Sequence, residues 1–524
     1  MLTLRSNVKR HSLARCRRTH LWLAILFCAI AAQRLAFLVW PFWGLEYEDS
    51  YVYADTARYM GYEYPWEVDP WRTKVILSGN FSSPNLTGSF DTHYEAFPVF
   101  LALWNKLLGY SPSNAAMANC IFSLAGLLCM FRYLQTQASH PLPRISLVAI
   151  CYLVSPMASI YHTSGFAEVS SSTLVLIAVL VLLLRQNAAT AARRVTYSII
   201  FLVIQLLAFS IKKENAILSI GPAILFLHGF VYKRESRDIA LMLASSCLGL
   251  LLLACFRLDR TLLTTSAEIG AREFSLFYFI ENGPRLLESF VRLDMWGPPG
   301  VAVLFGLLKI VKEPKRADLL LVASLGMAYL FLYSFHFRSP YQLRGEPVDA
   351  FDMQRLGLNI FPLFVLLIAL NDSLLRLVQK RIGLVVFPLV LLTFIGYGLK
   401  QRAKYSEIEN VERIGPVKHA LGLLNGKGTF YTDIPSVARI FAVPEQNIVD
   451  TTALESSQQV IENHEAELLY PVAILSRPGE QNYALDYFRG LSELKSETVL
   501  FHSYELLIFC PKGQLGPVSR SSQP

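Results

Sequence analysis

The first apolar stretch of the chain is Leu21–Trp40, LWLAILFCAIAAQRLAFLVW, and the acidic octapeptide Gly44–Tyr51, GLEYEDSY, follows shortly after it. The apolar stretch is long enough to cross a bilayer, which takes about 20 residues. It is too long for the apolar region of a cleaved signal peptide, and it lacks a small-residue cleavage site. We therefore expect a retained membrane span that ends beside three carboxylates.

The composition of the whole chain extends this interpretation. Of the 524 residues, 53% are hydrophobic and 17% are charged, whereas soluble domains average about 25% charged residues. Neither a zinc site nor a disulfide framework is indicated, because no pair of the eight cysteines has CxxC spacing. The sequence predicts a multi-pass membrane protein with about eleven spans, near residues 20–40, 113–133, 144–162, 169–185, 195–211, 215–232, 238–256, 297–311, 318–336, 355–371 and 382–399.

The charges of the loops predict the topology. The basic tail, residues 1–19, places the N-terminus in the cytoplasm, and every loop that alternation then puts inside is basic, as the positive-inside rule requires. The net charge of +8 is explained by these loops, so no nucleic-acid partner is implied. The short apolar segment Glu95–Tyr110 is expected to lie on the membrane surface, because a span there would put later basic loops outside.

The predicted fold is mainly α: a polytopic helical bundle, residues 20–399, with surface helices in its first outer loop. The long outer loops are 41–112 and 257–296, and residues 400–524 form an extracytoplasmic α/β domain. That domain alternates strand-like with helix-like runs: Gly428–Asp433, Pro435–Ala442, Ser456–Ala466, Pro471–Ser476, Thr498–Phe501 and Glu505–Cys510. We expect a plasma or bacterial inner membrane; a eukaryotic chain would belong in the endoplasmic reticulum, where its two outer sequons would be glycosylated.

Several polar groups fall on the predicted outer face. Each has a simple explanation: Lys212 and Lys213 could extend to the interface, Glu168 could favour a helix N-terminus, and Arg355 could anchor a span. Cations on the outer side nevertheless run against the positive-inside bias, which indicates an anionic partner. The acidic cluster Glu46, Glu48 and Asp49 lies on the same face.

These residue types suit one kind of chemistry. A departing phosphate needs fixed positive charge, which Lys and Arg supply. An attacking hydroxyl or amine needs a base, which Asp or Glu can provide, and a second carboxylate can orient the acceptor or bind a divalent cation. The set therefore predicts group transfer from a phosphate-linked membrane donor to an acceptor on the outer face.

At these residues the chain resembles the C-type glycosyltransferase superfamily, which uses polyprenyl-phosphate sugars, and within it the protein O-mannosyltransferases and lipid A aminoarabinose transferases. The resemblance covers about residues 20–370. The residues that carry it are Glu48-Asp49 with Tyr53-Ala54 and Ala57-Arg58, Tyr94–Pro98, Glu168, Lys212-Lys213, and Arg355 with Pro362. The aminoarabinose transferases have a lysine near Ala96 and Phe97, so this chain departs from them there.

The resemblance implies an inverting transfer from a polyprenyl-phosphate sugar to a lipid, glycan or protein acceptor. Glu48 or Asp49 would be the base, with Asp49 favoured and Glu48 assisting, because spacing does not choose between them. Lys212 or Lys213, with Arg355, would meet the lipid phosphate. Glu168 stands where relatives carry an outer-loop acid and would belong to the same set of substrate- and lipid-phosphate-binding residues. A divalent metal, held by Glu48, Asp49 and Glu168, is an open alternative in this superfamily, and the donor sugar is not specified.

Two other classes of function remain. A transporter or flippase for a lipid-linked glycan would place charges or broken helices near mid-membrane. A non-catalytic glycan assembly factor would bind through its outer domain. The charges predicted here cluster at the outer boundary, which favours the enzyme.

Overall fold

The computed structural model describes residues 21–38, 54, 57, 96–137, 140–233, 238–255, 276–292, 295–296, 299–300, 302–303, 306–308, 313–335, 357–372, 375–376, 392–393, 395–400, 403, 414–425, 428–434, 437–438, 441, 447–450, 472–476, 488, 494–500 and 504–511. The chain divides into two compact units. Met1–Trp40 and Ala116–Arg402 form the first, and Pro41–Ala115 and Ala403–Pro524 form the second.

The first unit is helical. Its helices are α1 (Leu21–Leu38), α3 (Asn114–Gln137, which begins in the second unit), α4 (Pro141–Val154), α5 (Pro156–Tyr161), α6 (Ala167–Gln186), α7 (Ala191–Ile211), α8 (Ile220–His228), α9 (Ile239–Cys255), α10 (Leu276–Val291), α11 (Ala317–Phe335) and α12 (Phe361–Leu370). Within the described residues, six helical stretches are long and apolar enough to cross a membrane. The chain is therefore a multi-pass membrane protein, and the number of eleven spans stays a prediction.

Helix α6 lies at the centre of this unit. It is apolar around almost its whole circumference, and nearly all of its side chains are buried, as expected for a helix without a polar face. It packs against α7, α11, α12 and the short 3₁₀ helix Gly357–Asn359. Because 20 residues rise about 30 Å, α6 matches the thickness of the hydrocarbon core.

The span predicted at 144–162 is broken into α4 and α5. Ser155 has extended backbone and caps α5, its hydroxyl accepting a hydrogen bond from the Ala158 N–H at 3.4 Å. Pro156 follows at the first position of α5, where its missing N–H costs least. The same proline cannot continue α4, since it has no N–H to donate to the carbonyl four residues back.

The span predicted at 215–232 is continuous but changes its helical type. It begins as a 3₁₀ helix, Lys213–Ser219, continues as α8 and ends as a π-helical turn, Gly229–Lys233. Such departures from α geometry often mark functional positions. The irregular first segment directly follows Lys212.

Four of the loops that the sequence predicts on the inner side meet at one end of the bundle. They line a cavity of about 420 Å³ together with the ends of the helices they join. Arg144 pairs with Asp372, and Arg316 pairs with both Asp372 and Asp318. These ion pairs join the ends of α4, α11 and α12, and the side of the membrane on which they lie stays a prediction.

Gly326 lets α11 approach α12 closely. A methyl group at this position would overlap the Phe364 ring, which is buried. We expect Gly326→Ala to lower the free energy of unfolding by about 1–3 kcal/mol, through overpacking. Thermal unfolding in detergent measures the change. Gly396→Ala is the matched control, because no atom lies within 4 Å of the added carbon; equal effects at both sites would contradict the packing argument.

In the second unit, α2 (Ala96–Leu108) is a 13-residue helix, about 20 Å long and too short to cross a bilayer. After it, the Asn114 side chain donates to Asn105 Oδ1 at 2.7 Å and to the Gly109 carbonyl at 2.8 Å. These bonds fasten the turn between α2 and α3. The helix exists as the sequence predicts, and its place at the membrane surface stays a prediction.

The rest of the described second unit is a five-stranded sheet packed against helix α13 (Gly415–Leu424). The strands are β1 (Thr429–Thr432), β2 (Asn447–Asp450), β3 (Val472–Ser476), β4 (Leu494–Leu500) and β5 (Glu505–Pro511), in the order β2-β1-β3-β5-β4. β1 pairs in parallel with β2 and β3, whereas β5 runs antiparallel to β3 and β4. β2 was not among the predicted strands. It has four residues, two of them polar, so its sequence shows no alternation of apolar and polar residues from which a strand could be predicted.

Candidate functional site

Glu168 lies in the first turn of α6 and is almost completely buried, with 1% of its surface exposed. The first turn of a helix is the positive end of its macrodipole, which favours a negative charge there. A buried carboxylate still requires a cationic partner, because desolvation of an isolated charge is costly. The helix macrodipole, which the sequence already suggests for Glu168, therefore accounts for only part of the stabilisation of this buried charge.

Lys212 supplies the partner. Its ammonium lies 2.8 Å from Glu168 Oε1, and the lysine side chain is 13% exposed. Lys212 is the first residue after α7, its extended backbone turning the side chain out of the helical path. A lysine ammonium has three donors, so one bond to Glu168 leaves two for another acceptor. The pair thus presents a fixed positive group beside a buried negative one.

Asn119 on α3 fastens the loop that leads to Glu168. Its amide donates to the carbonyls of Ser164 and Phe166, both at 2.8 Å, and its oxygen accepts from the Ser170 hydroxyl at 2.6 Å. All the hydrogen-bonding groups of this buried side chain are thereby used on one segment. The start of α6 is held by side-chain contacts and not by a side-chain cap of its own.

Asn215 fastens the other side of the pair. Its amide donates to Ser171 Oγ on α6 at 2.8 Å and to the Ala208 carbonyl on α7 at 2.7 Å. Its oxygen accepts from the Tyr329 hydroxyl of α11 at 2.7 Å. One fully buried residue therefore ties the segment after Lys212 to three helices.

We expect Asn215→Ala to lower the free energy of unfolding by about 3 kcal/mol, since it leaves several buried polar groups without a partner at about 1–3 kcal/mol each. Thermal unfolding of purified protein measures this. Asn187→Ala, at the other end of α6, is the matched control, because the Asn187 amide makes one exposed bond of 3.4 Å to Gln137. The control is expected to change the free energy by less than about 0.5 kcal/mol, and a similar loss in both variants would contradict the prediction.

The segment that follows Arg355 approaches the same helix. The 3₁₀ helix Gly357–Asn359 packs on α6, and the Asn359 amide donates to the Tyr333 hydroxyl on α11. The Tyr333 and Tyr329 rings lie 6.0 Å apart, so the Asn359 and Asn215 bonds are made by neighbouring tyrosines. Two of the chain segments predicted to carry phosphate-binding cations thus converge on α6 and α11.

The predicted site residues differ in how far the structure describes them. It joins Glu168 and Lys212, and it describes only the backbone of Lys213, in the 3₁₀ helix after Lys212. Glu48, Asp49 and Arg355 lie outside the described residues. Their roles, and that of the whole set as one site, stay predictions.

The sequence interpretation missed Arg34. This arginine of α1 is fully buried, and its guanidinium donates to the Tyr152 carbonyl of α4 at 2.8 Å. Gln33 next to it donates to the Leu153 carbonyl at 3.4 Å. The signal was available, since an arginine inside an apolar run of membrane length marks a functional position by default.

Comparison with known proteins identifies the fold. No family model and no curated protein matches the sequence. Among solved structures, ArnT from Cupriavidus metallidurans in the apo state matches with a TM-score of 0.58 and 12% identity, over 93% of this chain and 97% of that one. ArnT from the same organism bound to undecaprenyl phosphate matches with a TM-score of 0.58 and 14% identity, over 94% and 99%. The chain shares the fold of ArnT, a lipid A aminoarabinose transferase, which confirms the predicted C-type glycosyltransferase resemblance at the level of fold.

Proposed function

We propose that the protein transfers a sugar, with inversion, from a polyprenyl-phosphate donor to an acceptor on the extracytoplasmic face of the membrane. The observation that carries the proposal is the Lys212–Glu168 ion pair, in a fold whose solved example binds undecaprenyl phosphate. A lysine ammonium held in place by a buried carboxylate is a preorganised donor of the kind that stabilises a departing phosphate. The acceptor is a lipid, a glycan or a protein.

The reaction divides the residues into two groups. Asp49, with Glu48 assisting, accepts the proton of the acceptor hydroxyl or amine, and the freed lone pair forms a bond to the anomeric carbon of the sugar. The bond between that carbon and the phosphate oxygen breaks, and its electrons leave with the polyprenyl phosphate. Lys212 or Lys213, together with Arg355, neutralises the negative charge that develops on the phosphate.

The structure gives little support to a metal at Glu168. An ammonium already neutralises this carboxylate at 2.8 Å, and a divalent cation would have to compete with it. Within the described part of the chain, no three His, Cys, Asp or Glu side chains gather to hold a metal. Glu48 and Asp49, the other two candidate ligands, lie outside the described residues, so a metal held by all three stays an open alternative.

A transfer assay tests the proposal. Purified protein in nanodiscs is incubated with a panel of synthetic polyprenyl-phosphate sugars and membrane extract as acceptor source. We expect release of polyprenyl phosphate and a labelled product with one of the donors. The same protein boiled before the assay is the control, and failure with every donor would contradict the proposal.

One observation favours a flippase as the second candidate. A buried arginine beside a broken membrane helix, as Arg34 stands beside α4 and α5, is also common in transporters. Proteoliposomes loaded with a fluorescent polyprenyl-phosphate sugar distinguish the two functions. Movement of the lipid between leaflets without sugar transfer would favour the flippase.

A further inference from the structure

The break between α4 and α5 leaves carbonyl groups that the helix itself cannot satisfy. Pro156 has no N–H to donate to the Tyr152 carbonyl, four residues earlier. The next N–H, of Met157, donates at 3.0 Å to the Met295 carbonyl outside the helix, so Leu153 also lacks its helical donor. Unpaired carbonyls within the hydrocarbon layer are strongly destabilising, because no water is present there to hydrogen-bond them.

Helix α1 supplies both missing donors. The Arg34 guanidinium reaches the Tyr152 carbonyl at 2.8 Å, and the Gln33 amide reaches the Leu153 carbonyl at 3.4 Å. The charge of Arg34 also suits this place, because a helix C-terminus is the negative end of the macrodipole. The buried Arg34 thus has an acceptor, because the break between α4 and α5 leaves the Tyr152 carbonyl without its helical donor.

The break decides where the chain goes next. α5 ends at Tyr161, and only five residues separate it from the start of α6, with Glu168 in the first turn. That short loop is fastened by Asn119, and the Ser123 hydroxyl lies 2.8 Å from His162 Nδ1. Because this loop is short and hydrogen-bonded to α3, a change in the direction of α5 would move Glu168.

We infer that Arg34 is a positioning residue for the Glu168–Lys212 pair: it stabilises the break, and the break places the pair. The inference rests on the proposed function, since it assigns the pair to the transfer site. A helix made continuous through position 156 would carry the chain along the α4 axis and displace the first turn of α6. Arg34 itself is fully buried, and we assign it no role in binding the substrate.

Removal and repair of the missing bond test this role. Arg34→Met is expected to lower the melting temperature and to lower kcat about 10- to 100-fold, as misplacement of a site by about 1 Å does. The double variant with Pro156→Ala regains an N–H for the Tyr152 carbonyl, so it is expected to recover the melting temperature but not kcat. Recovery of both would show that the break does not place the pair, and a wild-type kcat in Arg34→Met would show that Arg34 has no positioning role; either result overturns the inference.

Two further variants complete the comparison. Arg34→Lys keeps a cationic donor and is expected to restore kcat to within about 10-fold of the wild type. Arg132→Met is the matched control, because this arginine of α3 is exposed and bonds only one turn away, to Gln135 at 2.8 Å. Where Arg34→Met does not fold, Arg34→Gln replaces it, and a wild-type kcat in that variant overturns the inference.

Hydrogen–deuterium exchange separates this inference from the proposed function. Arg34→Met, or Arg34→Gln in its place, is expected to raise exchange at residues 157–168 relative to the wild type, whether or not a donor is turned over. Unchanged exchange there overturns the positioning role. A wild-type protein that transfers no sugar overturns the proposed function alone.

Discussion

Asp49→Asn is expected to lower the kcat of sugar transfer about 10²- to 10⁴-fold, the usual contribution of a general base. The amide keeps the size of the side chain but cannot accept a proton from the acceptor. Glu48→Gln is expected to have a smaller effect, because we assign Glu48 an assisting role. Steady-state transfer with a saturating donor measures both variants. The prediction comes from the sequence, since both residues lie outside the described part of the structure.

Glu46→Gln is the matched control for this pair. Glu46 belongs to the same acidic cluster, but no step requires it, so its transfer rate is expected to stay within a few-fold of the wild type. A larger loss in Glu48→Gln than in Asp49→Asn would exchange the two roles. Full activity in the Glu48→Gln, Asp49→Asn double variant would remove the base assignment altogether.

Lys212→Met is expected to reduce both stability and activity. It leaves the buried Glu168 carboxylate without the ammonium at 2.8 Å, which costs about 3–5 kcal/mol of unfolding free energy. The loss of one cation at the leaving phosphate is expected to lower transfer about 10²- to 10³-fold. Thermal unfolding and transfer kinetics on the same preparation measure the two effects.

A second substitution separates these effects. The double variant Glu168→Gln, Lys212→Met removes both charges and is expected to recover most of the stability without recovering transfer. The exposed pair Arg285–Glu288 provides the control, since solvent screens it and Arg285→Met is expected to leave the melting temperature close to that of the wild type. Wild-type stability in the single Lys212 variant would contradict the ion pair as described. If transfer is lost in Lys213→Met alone, the phosphate contact belongs to Lys213.

The sequence predicted much of the first unit because its signals are strong. A long apolar run predicts α6. Glu168 and Lys212 lie at the ends of adjacent predicted spans, and alternation of the spans therefore predicts that both residues lie on the same side of the membrane. Their direct pairing could not be predicted, because it depends on the extended backbone of Lys212 and on the Asn119 and Asn215 contacts. These contacts join residues up to 114 positions apart in sequence, and periodicity carries no information about them.

The predicted spans were least accurate where backbone geometry changes inside an apolar run. Hydropathy does not distinguish α, 3₁₀ and π turns, so the change of helical type from Lys213 to Lys233 had no signal of its own. The break at Pro156 did have one, since a proline after thirteen or more helical residues rarely continues the helix. β2 was missed because Asn447–Asp450 is half polar.

The length of α6 has a further consequence for the lipid environment. Arg185, near its far end, is paired with Asp238, which opposes movement of that end into the hydrocarbon. Because Glu168 and Arg185 are 17 positions apart in α6, the Glu168–Lys212 pair is held about 25 Å away along the helix axis, and the bilayer must match that distance. With the pair at the proposed transfer site, we expect a thicker bilayer to draw it below the headgroups and to slow transfer, so the length of α6 would make transfer sensitive to membrane thickness.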